Sequence, residues 1–187
     1  GIDSSFQTMM MLAMHASPAR RGVMSHSYAF NTFTVNGKAL NEVGINALVA
    51  GEQGVPVSLV SGDDELEQEV REMLGDRVVF VRVKVALGGA AAITFSPTRV
   101  KQMLAEGAAE AVRRTKAGEI KPFTLEKPYR VEFAIRSSYA DSLTPRLDKV
   151  VADWGGERIG PRSYRITTSD AKRLAYMIDR IEGVVLP

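Results

Sequence analysis

Hydrophobic and polar positions follow strand spacing and helix spacing in turn along the first part of the chain. Residues 9–14 (MMMLAM) form a continuous apolar run, which is typical of a strand in a parallel sheet. Residues 27–35 (SYAFNTFTV) alternate between apolar and polar side chains and predict a second strand. Asn36-Gly37 predicts a tight turn, and residues 40–53 then follow helical spacing. This order of elements is typical of an α/β domain.

A further strand and helix follow and end at Gly75, a predicted helix stop. The strand covers residues 57–60. The apolar face of the helix consists of Leu66, Val70 and Leu74. The acids at its start are Asp63, Asp64 and Glu65. Such acids suit a metal or a helix N-terminus, and the N-cap and the helix dipole account for them without a metal.

The pattern changes after Gly75. Residues 78–85 alternate as one longer strand, and Ser96-Pro97 marks the start of a helix over residues 97–116. The remaining predicted elements are strands at 129–135 and 164–168, a short helix at 139–147 and a final helix capped by Ser169. We therefore predict part of a parallel-sheet three-layer α/β domain over residues 1–75 and a smaller α+β domain over residues 76–187.

Composition narrows the possible classes of function. The chain has 187 residues, of which 45% are hydrophobic and 25% are charged, as in ordinary globular proteins. It has no cysteine, so any metal must be held by nitrogen and oxygen ligands. A net charge of +2 gives no argument for binding to nucleic acid or to a membrane surface. No apolar run approaches the roughly 18 residues of a membrane span, and no signal peptide is evident, so a cytoplasmic protein is expected.

Candidate metal chemistry is concentrated in residues 14–46. This segment holds both histidines, His15 and His26, and the carboxylate of Glu42 at the start of a predicted helix. Imidazole and carboxylate groups are common ligands of zinc. The histidines are eleven residues apart, so they can meet only through a loop and not on one helix face. The alternative is a hydrogen-bonded structural histidine at a strand end, with Glu42 as an acid favoured by the helix dipole.

Other polar groups near this segment allow substrate contact. Arg20 and Arg21 are either solvated loop charges or partners for a substrate carboxylate. Lys84 is a second candidate for substrate contact. The Gly/Ala-rich residues 86–92 offer backbone N–H groups for an oxyanion, although a flexible turn or tight packing is the preferred explanation of this composition.

Several sequence motifs resemble the zinc-dependent D-aminopeptidases of the dipeptide-transport operon type. In order they are MHA (14–16), RGVMSHS (21–27), NEVGINALVAG (41–51), VSGDD (60–64), VKVALGGAAAITFSP (83–97) and VEFA (131–134). The resemblance covers nearly the whole chain. It implies a metal-dependent aminopeptidase that hydrolyses peptides with an N-terminal D-amino acid, of the D-Ala type, by a zinc-activated water.

The resemblance also implies roles for individual residues. His15 and Glu42 match zinc ligands, and His26 matches a catalytic histidine beside the metals. Two zinc ions per complete site are expected. Residues 1–75 would then be the C-terminal part of the metal-binding domain.

The other family ligands lie upstream, in a DxE motif and an NDSH-like motif, and neither motif precedes His15 in this sequence. The chain thus resembles the C-terminal two-thirds of a family member, and we expect an N-terminal companion segment that carries the remaining ligands. The family also suggests a homo-oligomer. The alternative is a non-catalytic fragment or assembly subunit that lacks a complete metal site.

Overall fold

The computed structural model describes residues 1–139 and 141–185. In chain order the strands are β1 (Met9–Met11), β2 (Phe30–Val35), β3 (Lys38–Ala39), β4 (Val57–Gly62), β5 (Val79–Arg82), β6 (Lys84–Gly88), β7 (Ala91–Thr94), β8 (Tyr129–Ile135), β9 (Glu157–Arg158) and β10 (Ser163–Thr168). The helices are α1 (Glu42–Glu52), α2 (Asp64–Leu74), α3 (Pro97–Lys116), α4 (Thr144–Asp153) and α5 (Ala171–Val185). Within the described residues, no helix combines the length and the apolar character that crossing a bilayer requires.

The chain forms two compact units, each assembled from two segments. The first unit consists of Gly1–Ser25 and Val43–Thr124, and the second of His26–Glu42 and Leu125–Pro187. These two units are defined by contacts between residues. The predicted domain boundary at Gly75 stays a prediction.

The first unit is built on a parallel sheet with strand order β1-β4-β5. Val60 packs in one apolar cluster with side chains of α1 and α2, whereas Leu59, its neighbour on β4, packs in another with Ala111 of α3. Adjacent residues of a strand point to opposite faces, so helices cover both faces of this sheet. The predicted α/β fold is confirmed.

Helix ends in this unit follow the predicted capping chemistry. Asp63 is the N-cap of α2, and the Leu66 N–H donates to its carboxylate at 2.9 Å. Gly75 ends the same helix with a positive φ of 80°. Ser96 caps α3, and Pro97 is its first residue.

The strand predicted over residues 78–85 is instead two strands with different partners. β5 pairs with β4, and the Val83 N–H still donates to the Gly62 carbonyl at 2.9 Å. From Lys84 onward the chain pairs with β7 in an antiparallel hairpin. Alternation of apolar residues continues through both strands, because it records which side chains share a face and not which strand lies alongside.

The second unit contains a five-stranded antiparallel sheet with strand order β3-β2-β8-β10-β9. Its core is aromatic, and the ring centroids of Phe30 and Phe133 lie 5.1 Å apart. The predicted 27–35 strand begins at Phe30, and Tyr28 just before it has a positive φ of 48°. The tight turn at Asn36-Gly37 is present, and both of its residues have positive φ angles, as a two-residue hairpin requires.

Candidate metal centre

His15 follows the carboxyl end of β1 and is held there by β4. The strand ends at Met11, earlier than predicted, because Ala13 adopts a positive φ of 59°. The Ala13 N–H then donates to the Ser61 hydroxyl at 3.0 Å, and the Met14 N–H donates to the Ser61 carbonyl at 2.9 Å. These bonds fix the backbone one residue before His15. Functional side chains of α/β folds commonly lie at this end of the strands.

The His15 ring has one nitrogen next to its own backbone. Nδ1 lies 3.3 Å from the Ala16 carbonyl oxygen. A carbonyl only accepts a hydrogen bond, so this contact requires the hydrogen on Nδ1 and leaves the lone pair of a neutral ring on Nε2. Metal-binding histidines are commonly oriented in this way.

The loop from residue 16 to residue 25 is fastened to α2. The backbone N–H and the hydroxyl of Ser17 both donate to Glu69, the first at 2.9 Å and the second at 2.5 Å. One guanidinium nitrogen of Arg20, Nη2, donates to both carboxylate oxygens of Glu72, each at 2.7 Å. This carboxylate, through its hydrogen bond, raises the pKa of Arg20. Arg20 therefore belongs to the attachment of the loop, whereas Arg21 is exposed.

Glu42 is the first residue of α1, as predicted, and its carboxylate is fixed by the backbone. The Tyr28 N–H donates to Glu42 Oε1 at 2.9 Å. His26 Nε2 lies 3.8 Å from the same oxygen. The Glu42 side chain is 15% exposed and that of His26 is 37% exposed. A half-buried imidazole therefore lies beside a well-buried and oriented carboxylate.

His15, His26 and Glu42 carry donor groups suited to a divalent cation. Two imidazole nitrogens and one carboxylate oxygen are a donor set that zinc accepts. His26 and Glu42 lie side by side in the second unit, and His15 follows β1 in the first unit. Their individual roles stay predictions.

Comparison with known proteins agrees with this chemistry. A family model described as D-aminopeptidase matches residues 1–179. The chain belongs to the D-aminopeptidase family. Family membership makes His15, His26 and Glu42 the candidate metal-centre residues of the chain.

Two relatives show how much of a family member the chain spans. It is 35% identical over 126 residues to a D-aminopeptidase of Bacillus subtilis (strain 168). The aligned residues cover 66% of this chain and 45% of that protein. The Zn-dependent D-aminopeptidase DppA from Bacillus subtilis, described as a self-compartmentalizing protease, has a structure similar to this chain with a TM-score of 0.82 at 26% identity. That match covers 97% of this chain and 65% of DppA. The chain therefore spans about half to two-thirds of the length of these family members.

In this member of the D-aminopeptidase family, sequence reasoning missed one carboxylate close to His26 and Glu42. Glu182 of α5 has a buried oxygen, Oε1, without a hydrogen-bond partner among the described residues. Burial, and then the charge of Glu42, raise the pKa of Glu182, and His26 and Arg136 act in the opposite direction. A lone glutamate in a helical pattern, so far along the chain from Glu42, gave no signal in the sequence.

The remaining candidates take other places. Asp63 and Asp64 at the start of α2 both accept hydrogen bonds from backbone N–H groups, Asp64 from Ala86 at 2.8 Å. The Gly/Ala-rich residues 86–92 form the end of β6, the turn and the start of β7, and this hairpin is largely exposed. Lys84 is half-buried on β6, and its predicted contact with substrate stays a prediction.

Proposed function

We propose that this chain carries the zinc-binding histidine and glutamate and the catalytic histidine of an aminopeptidase that hydrolyses peptides with an N-terminal D-amino acid. The observation that carries the proposal is the position of His26 beside the fixed carboxylate of Glu42 in a member of the D-aminopeptidase family. The zinc dependence and the D-aminopeptidase activity named for its relatives point in the same direction.

Each residue of the group has a distinct task in this proposal. His15 and Glu42 hold the metal, with His15 oriented through its Nδ1 contact and Glu42 through the Tyr28 N–H. Bound zinc supplies Lewis acidity, which polarises the scissile carbonyl and lowers the pKa of water to near neutrality. His26 moves the proton: its ring accepts one as the nucleophile forms and returns one to the departing amine. The Glu42 carboxylate oxygen Oε1 lies 3.8 Å from Nε2 of this ring.

The proposal also includes features that the family resemblance implies. It includes a preference for D-Ala-type di- or tripeptides, two zinc ions per complete site, and further ligands in an N-terminal segment. It includes assembly into a homo-oligomer, because DppA is described as self-compartmentalizing. We also propose a cytoplasmic location for the protein.

Zinc content and turnover test this function together. We expect elemental mass spectrometry to find about two zinc ions per chain in a complete site, and a D-alanyl dipeptide to be hydrolysed in a zinc-dependent reaction. Glu42→Ala should lose zinc, because it removes the proposed carboxylate ligand. Asp64→Ala removes an acid that is not a proposed ligand and is the control for zinc retention.

The opposite result is equally specific. Zinc near zero or one per chain without turnover would indicate the alternative, a non-catalytic fragment or assembly subunit. Equal zinc retention in Glu42→Ala and in the original chain would contradict the ligand assignment of Glu42.

A further inference from the structure

Asp63 does more than cap a helix, because its two carboxylate oxygens bind two different parts of the chain. Oδ1 accepts from the Leu66 N–H of α2 at 2.9 Å. Oδ2 accepts from the Val23 N–H at 2.8 Å. Asp63 has no exposed surface. A buried carboxylate keeps its charge at low cost only where donors surround it, so both bonds matter for a charged Asp63.

Val23 lies in the loop that connects the two histidines. The loop leaves His15 through the fully buried Ala16 and reaches His26 three residues after Val23. Along this path the Met24 N–H also donates to the Gly89 carbonyl at 2.9 Å. The Val23 bond is therefore a fixed point close to the end of the loop that leads into His26.

The neighbouring glycine shows how closely the loop approaches Asp63. A Cβ atom built on Gly22 would lie 2.9 Å from Asp63 Oδ2, 2.8 Å from the Ser25 hydroxyl oxygen and 3.1 Å from Ala16 Cβ. Real Cβ atoms rarely come this near to other atoms, so the loop reaches the carboxylate only because position 22 has no side chain. The loop backbone, the start of α2 and Ala16 are thus in contact around one buried carboxylate.

The other contacts between loop and helix are either exposed or further from His26 along the loop. Arg20 and Glu72 form a pair in which Glu72 is 64% exposed, and exposed ion pairs contribute little. Ser17 binds Glu69 near the beginning of the loop, two residues after His15. Asp63 is the contact that combines full burial, two donors and closeness to His26.

We propose that Asp63 is a positioning residue for the metal centre: its Oδ2 holds the histidine loop on the start of α2 and so fixes the approach of His26 and of the backbone next to His15. Asp63 acts through the Val23 N–H and touches neither substrate nor metal. The inference rests on the proposed function for its catalytic consequence. Its structural consequence, the placement of the two imidazoles, is measurable without zinc and without turnover.

Asp63→Asn separates the two roles of this residue. Asparagine is as good an N-cap as aspartate, so its side-chain oxygen keeps the bond to Leu66. Its amide nitrogen then replaces Oδ2 and faces the Val23 N–H, so two donors oppose each other and the loop contact is lost. Asp64→Asn is the matched control, because it removes one negative charge at the same helix start and leaves the loop contact in place.

The two histidines make the measurement direct. NMR of the zinc-free chain shows one set of imidazole signals for each of His15 and His26, with no other histidine to confuse them. We expect Asp63→Asn to shift or broaden the His26 signals, and those of His15 to a smaller extent, while Asp64→Asn leaves both unchanged. Asp63→Ser is the second variant: serine keeps a cap, lacks the second oxygen, and should give the same change.

Zinc affinity and kinetics extend the test to function. Loss of an outer hydrogen bond that orients a metal site typically lowers metal affinity or activity about 10- to 100-fold, and this is the expected effect of Asp63→Asn. The reduction should fall on kcat with KM within a factor of about two, because the loop positions the reacting group and does not bind substrate.

The outcomes distinguish this inference from the proposed function. Imidazole signals that are identical in Asp63→Asn and in the original chain would overturn the positioning role, whatever the activity. Shifted signals in a protein that never hydrolyses a D-alanyl peptide would support the positioning role and overturn the peptidase proposal. We expect every variant to keep its helical circular dichroism and only the two Asp63 variants to show shifted imidazole signals.

Discussion

Replacing His26 by alanine is expected to lower turnover of a D-alanyl dipeptide about 100- to 10,000-fold, the range typical for loss of a general acid-base group. The His26 side chain is 37% exposed, and its Nε2 lies 3.8 Å from Glu42 Oε1. The ring can therefore exchange a proton while it remains next to a fixed carboxylate. The fold should persist, because removal of a half-exposed side chain eliminates few apolar contacts. Steady-state kinetics and the thermal midpoint measure the two effects.

His15→Ala is the informative comparison for this variant. Under the proposed roles, His15→Ala loses zinc and turnover together, whereas His26→Ala retains zinc and loses turnover alone. Measuring both the zinc content and the steady-state kinetics of the two variants separates these roles. Unchanged turnover in His26→Ala would contradict its catalytic role, and zinc loss equal to that of His15→Ala would make His26 a ligand instead.

Local chemistry explains which parts of the fold were predictable. Asp63, Ser96 and Gly75 cap their helices as expected, because a cap needs only a side chain or a backbone angle within a few residues. The hairpin turn at Asn36-Gly37 was predictable for the same reason.

Long-range pairing explains what was not predictable. β2 lies directly after the histidine loop in sequence, yet it pairs with β8, about 100 residues further along the chain. The strand pattern of residues 78–85 likewise gave no sign that β5 and β6 have different partners. A pattern with a period of two fixes the inward face of a strand but leaves its neighbour open.

Some residues of the candidate site were likewise predictable from the sequence, and others were not. His15, His26 and Glu42 were found because they are close in sequence and because the chain has no other histidine. Glu182 required the structure, since only the packing of α5 places this carboxyl within the influence of Glu42 and His26. Arg20 was expected to be either solvated or a substrate contact, and the structure instead pairs it with Glu72, which no local pattern indicates.

Gly51 of α1 gives the largest expected effect on stability. A Cβ atom built on this glycine would lie 1.8 Å from the carbonyl oxygen and 2.8 Å from the carbonyl carbon of Phe123. These are backbone atoms, so no side-chain rotation can make room, and either the helix or the 123 backbone must move. Gly51→Ala should therefore lower the free energy of unfolding by about 1–3 kcal/mol, even though alanine is the better helix former.

Gly183→Ala is the control that isolates the steric part of this prediction. Gly183 also lies within a helix, α5, but a Cβ atom there would have no other atom within 4 Å. Alanine at this position should raise the free energy of unfolding by up to about 1 kcal/mol through helix propensity alone. Urea unfolding of the two variants should thus give shifts of opposite sign. A stabilised Gly51→Ala protein would mean that α1 and the backbone at Phe123 are further apart than this packing requires.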